Sequence, residues 1–117
     1  MLRFAFLLTA MFLTGPVLGQ TSDVPEMPDS CSLHAENGFV RLVVCTDENA
    51  TQETYVSAGK AACDLDLPCG AWIWTDATLP PAQAPDNHDG LTREQITSSK
   101  GIWVAERDAF IAIDEVD

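Results

Sequence analysis

The sequence predicts a small single α+β domain, disulfide-stapled, with a mixed or antiparallel sheet of about four strands and two helices packed on one face. Three observations carry that expectation. The chain has only 117 residues, four of them cysteines in an acidic body. Short β-rich apolar runs alternate with stretches of helical periodicity. An apolar segment at the start reads as a signal, which places the cysteines in an oxidising compartment.

Residues 1–19 have the three parts of a secretory signal: Arg3, an apolar run from Phe4, and Val17 and Gly19 at the −3 and −1 positions of a cleavage site. Gly15-Pro16 interrupts the run, so it falls short of the ~20 residues a membrane-spanning helix needs. The first cysteine is Cys31, so no lipid-bearing N-terminus follows the site. The expected product has no stable membrane anchor and is periplasmic or extracellular. Cleavage after Gly19 leaves 98 of the 117 residues and removes one base and no acid, taking the formal charge from −12 to −13. Nucleic acid and anionic lipid are repelled by that charge. A protein partner with a basic surface, a cationic ligand and solubility alone are the readings it leaves open.

Residues 20–30 carry Pro25 and Pro28 among polar neighbours and read as a flexible leader. The domain is assigned to residues 31–117. Residues 39–45, Phe-Val-Arg-Leu-Val-Val-Cys, read as a strand, with a short extra strand near Leu33 as an option. A helix is expected from about Asp47 to Ala62, capped by Asn49, with Tyr55, Val56, Gly59, Ala62 and Cys63 on one face. Its small residues permit close packing on a sheet. Residues 71–75, Ala-Trp-Ile-Trp-Thr, read as the next strand. Pro80, Pro81 and Pro85 then exclude regular structure from 76 to 90. Thr92 and Gln95 have capping-box spacing, Leu91 and Ile96 that of a hydrophobic staple, and Gly101 is placed to end the second helix. Residues 102–106 and 109–114 read as a hairpin turning at Arg107-Asp108.

Cys31, Cys45, Cys63 and Cys69 allow three disulfide connectivities. The local pairing, Cys31 with Cys45 and Cys63 with Cys69, is the one expected here. The Asn37-Gly38 turn signal folds Cys31 back towards Cys45 but sets it opposite Val44, so the pairing requires a bulge. The five-residue gap between Cys63 and Cys69 lacks the spacing of a thiol oxidoreductase, and neither a haem attachment motif nor the short ligand pairs of a zinc site occur. No metal and no cofactor are assigned.

Asp86-Asn-His-Asp-Gly90 is out of register for a calcium loop, because the first and twelfth ligands would be Pro85 and Ile96. What remains is His88 between Asp86 and Asp89: either an exposed Asx-type turn ahead of the capped helix, or a cluster whose charges raise the histidine pKa and make a pH-sensitive or cation-binding contact. Trp72 and Trp74 share one sheet face, with Ile73 on the other. Open, the two rings are a stacking platform; covered, they are core. Asn49-Ala50-Thr51 has the form of an N-glycosylation site. Two histidines and scattered carboxylates form no catalytic constellation. The expected function is a non-enzymatic interaction module that binds another protein as accessory factor or inhibitor, through Trp72, Trp74, Asp86, His88 and Asp89. The alternative is a small-ligand or cation binder using the tryptophan face or the His88 loop.

Overall fold

A computed structural model describes residues 26–113 apart from residue 65. The expected signal and the first half of the leader lie outside the described residues. The elements are β1 (Cys31–Asn37), β2 (Val40–Cys45), α1 (Gln52–Cys63), β3 (Gly70–Trp74), α2 (Arg93–Ser98), β4 (Gly101–Val104) and β5 (Ala109–Ala112). They build one five-stranded sheet in the order β1-β2-β3-β4-β5. Only β2 and β3 run parallel, because α1 carries the chain back between them; the other three pairs are antiparallel. Five strands replace the expected four. The additional one, β1, is an edge strand whose side chains are mostly solvent-facing, so it lacks the apolar run that marks β2 and β3.

The two disulfides follow the local pairing, Cys31–Cys45 and Cys63–Cys69. Cys31 stands directly opposite Cys45 because the β1–β2 register shifts between Leu33 and Ala35, leaving His34 as the extra residue. The expected turn would have needed its extra residue in β2; the observed ladder, unbulged, would set Cys31 opposite Thr46, and the extra residue in β1 brings it back to Cys45. The turn itself is Gly38-Phe39, one residue later than expected, with Asn37 paired to Val40 and positive φ at Gly38. Closing a loop of about 15 residues stabilises by about 3 kcal/mol, mainly through the unfolded chain. Arg41 reinforces the same corner. It is buried, its guanidinium donates to the carbonyls of Gly38 and Ala62, and it pairs with Glu36 at 3.2 Å and Asp66 at 3.0 Å.

α1 starts at Gln52 with Thr51 at its N-cap, later than expected. Asn49 does not cap it. The Asp47 carboxylate accepts from the Asn49 N–H and the Asp47 carbonyl from the Ala50 N–H, and this local turn outcompetes earlier helix entry. Gly59 lets α1 lie on the sheet, since a Cβ there would stand 2.3 Å from the Trp103 Cβ.

The expected placement of both helices on one face is corrected. α1 covers one face, burying Val43, Ala71, Ile73 and Trp103 with Tyr55, Ala58 and all four cysteines. The other face, with Val40, Leu42, Trp72, Trp74 and Ile102, is covered by Leu91, Ile96 and Ala84, from α2 and the segment that leads into it. The physical reason lies in β3, every residue of which is buried. A strand apolar on both faces needs two layers, and α1 supplies one. α2 has the anticipated capping box, but it ends at Ser98 with Ser99 as C-cap, before Gly101 begins β4. Of the expected leader, Met27 packs on the α1 side of the core, and the Thr46 N–H bonds the Ser30 carbonyl.

Candidate functional site

The candidate site is the irregular cover of the second face, residues 75–92. A segment with three prolines has few ladder hydrogen bonds of its own to make, and side chains of the scaffold hold it instead. His34, the bulge residue, donates from Nε2 to the Pro81 carbonyl at 3.1 Å. Asn37 Nδ2 donates to the Ala84 carbonyl at 3.1 Å and to Asp86 Oδ1 at 3.0 Å. The loop's own start is ordered by Asp76, which accepts from the backbone N–H and the hydroxyl of Thr78 and is held below the usual carboxylate range by those bonds. At the far end, Trp74 Nε1 donates to the Gln95 carbonyl at 3.0 Å and to Ser98 Oγ at 3.1 Å.

His88 lies at the centre of this arrangement. It opens a one-turn 3-10 helix, His88–Gly90, that runs straight into the α2 cap. Its Nδ1 accepts from Trp72 Nε1 at 3.0 Å. Indole N–H is a donor only, so Nδ1 carries the lone pair and the proton resides on Nε2. The ring lies 5.3 Å from that of Phe39 and fills the notch left by Gly70, where a Cβ would come within 2.7 Å of its Cε1. Burial pushes the His88 pKa below its ordinary value, against an opposing pull from Glu106 and Asp89. The expectation of a raised pKa is therefore corrected: desolvation of the imidazolium outweighs the neighbouring charges. Glu106 is itself held low, first by accepting from the Cys69 N–H at 2.9 Å.

The structure separates the five residues singled out in the sequence. Trp72 and Trp74 share a face, as their spacing requires, but are only 5% and 0% exposed. They form no stacking platform, and as contact residues they are corrected: the loop and α2 occupy their face. His88 is itself part of the cover and lies half-buried against Trp72. Asp86 and Asp89 remain exposed, Asp86 at the loop's tie to Asn37 and Asp89 beside His88. Among the described residues no three His, Cys, Asp or Glu side chains converge as a metal site would require, so the His88 loop provides no cation cage. A shallow groove of about 610 Å³ runs between Thr78-Leu79 and α2. Its hydroxyls are already committed: Thr78 to Asp76, Thr92 to Gln95, Thr97 to the Glu94 carbonyl and Ser98 to the Gln95 carbonyl.

Sequence reasoning missed Arg41, Gly70 and Glu106. Arg41 had a visible signal, a single charge inside an otherwise apolar strand. The roles of Gly70 and Glu106 arise only when β3 and the turn after β4 meet. No helix among the described residues is long and apolar enough to cross a membrane. The paired cysteines in a small α+β domain are consistent with an oxidising compartment.

No protein-family model, curated protein or solved structure matches this chain.

Proposed function

We propose that this chain is an exported, non-enzymatic module that binds a protein with a basic surface, as an accessory factor or inhibitor, through its proline-rich loop. The observation that carries the reading is the way that loop is held. His34, Asn37 and Trp72 fix it at successive points along its length, and Trp74 holds α2 just beyond its end. An irregular segment fixed in advance loses little conformational entropy on binding. Asp86 and Asp89 project from it into solvent, on a chain with 18 acidic and 6 basic residues. One of those bases, Arg41, is buried and committed to Glu36 and Asp66. Export rests on the signal-like residues 1–19 together with the two disulfides.

The experiment is site-specific photocrosslinking in the native host, with the crosslinking residue placed at Asp86, at Asp89 and, as a control on the opposite face, at Glu53. The expected result is one discrete adduct from the two loop positions that fades as salt is raised, since steering between exposed charges is screened. An adduct formed equally from Glu53, one indifferent to salt, or none at all overturns the reading.

A further inference from the structure

We propose that His88 and Trp72 form an acid-sensitive latch, which holds the 85–91 segment over the second face of the sheet while His88 is neutral and releases it when His88 is protonated. The direction of one hydrogen bond makes the contact sensitive to charge. Trp72 Nε1 can only donate, and its partner is Nδ1 of His88, 3.0 Å away. Protonating Nδ1 sets two N–H groups against each other, so the bond is lost and replaced by repulsion.

His34 supplies the contrast within the same cover. It donates from Nε2 to a carbonyl, that of Pro81, and that bond is compatible with either charge state because the second proton goes to Nδ1. Acid therefore leaves the His34 tie in place. The Trp74 indole, bonded to the Gln95 carbonyl and Ser98 Oγ, has no titrating partner. Of these side-chain ties, only the one made by His88 depends on its neutral form.

The surroundings of His88 reinforce this. From β3 it meets Gly70 and Trp72, from the β1–β2 turn Phe39, and across the Gly70 notch Ile102 of β4; none carries charge. The charged groups acting on it are Glu106, in the turn after β4, and Asp89, in its own turn. Their pull does not overcome burial, so the latch stays closed at neutral pH and opens only when acid protonates the ring. Release propagates to the neighbouring chain because the Leu91 N–H bonds the His88 carbonyl at 3.3 Å, and Leu91 is buried against the tryptophan face.

The test is a pH titration of the folded, disulfide-intact protein by NMR, following the indole N–H signals of Trp72 and Trp74 and the ring protons of both histidines. The expected result is that the Trp72 indole signal shifts and exchanges faster with the His88 midpoint, while the Trp74 signal stays constant through that transition. A Trp72 signal unmoved through the His88 titration overturns the latch. So does simultaneous loss of both indole signals, which is global acid unfolding. As a second arm, Trp72→Phe removes the donor that stabilises neutral His88, and its midpoint is expected to rise by about 0.5–1 pH unit. An unchanged midpoint in a folded Trp72→Phe protein counts against the proposal, and the wild-type titration decides the matter if that variant does not fold.

Discussion

The two faces of this sheet are covered by different means. On one, α1 packs through Tyr55, Ala58 and Cys63, and all four cysteines lie in the same cluster, so covalent bonds tie β1 to β2 and the end of α1 to the start of β3. On the other, a proline-rich segment and the two-turn helix α2 lie over Trp72 and Trp74, attached by side-chain hydrogen bonds from His34, Asn37, Trp72 and Trp74. Disulfides act on the unfolded chain and stabilise the whole domain. Single hydrogen bonds contribute about 1 kcal/mol each and can open one at a time. A stiff face beside a releasable one is an arrangement in which a loop can respond locally while the scaffold stays folded.

The largest test breaks the covalent face. Replacing all four cysteines by serine is expected to cost about 5 kcal/mol. Small domains are stable by about 5–15 kcal/mol in total, so the denaturant midpoint should fall steeply or the chain should not fold. The pair Cys31 and Cys45 should account for slightly more than Cys63 and Cys69, because it closes the longer loop, with a sequence separation of 14 against 6. Equal stability with and without the bridges would remove the basis of the comparison.

Next is the packing beneath α1. In an open helix Gly→Ala is stabilising by about 1 kcal/mol. At Gly59 the new methyl would stand 2.3 Å from the Cβ of buried Trp103, so Gly59→Ala is expected to destabilise by about 2 kcal/mol, the usual scale of overpacking. Urea unfolding measures it, and a stabilised variant would show that α1 can lift off the sheet freely.

A smaller change tests the hydrogen-bonded face. Thr92 accepts from the Gln95 N–H at 3.1 Å, and the Gln95 side chain accepts from the Thr92 N–H at 2.8 Å. Thr92→Ala is expected to cost about 1 kcal/mol. Hydrogen exchange should quicken around Leu91 to Ser98 while α1 amides change little. Uniform acceleration over the whole chain would mean that the two faces do not open independently.

These features differ in how openly the sequence displays them. The α2 cap is local, written in Thr92, Gln95, Leu91 and Ile96, and it was legible at once. The disulfide pairing and its need for a bulge followed from counting residues between Cys31 and Cys45. Placing α2 was harder, although Trp72-Ile73-Trp74 contained the information: a strand apolar on both faces calls for two covers. β1 was faint because an edge strand exposes most of its side chains. At the site, the burial of Trp72 and Trp74 and the depressed pKa of His88 depend on residues 16 or more positions apart coming together. Linear spacing carries no signal for that.

The smallest effect is also the most selective. Burial lowers the His88 pKa in the folded chain below its ordinary 6.5, so between the two values the unfolded chain binds more protons than the folded one. Stability from this group is therefore complete above about pH 6.5 and is lost as pH falls towards the folded pKa. Glu106 and Asp76 also have lowered pKa values, but their ordinary values are 4.5 and 3.8, so their stabilisation begins to fade only in that lower range. The two windows are separable. The denaturant midpoint is expected to decline first as pH falls below about 6.5, before the carboxylates begin to titrate. In His88→Asn, which has no titrating ring, that first decline should vanish while the steeper loss below pH 4.5 remains. A wild-type midpoint that stays flat until the carboxylates titrate would show that His88 protonates equally well folded and unfolded, and that the second face is indifferent to mild acid.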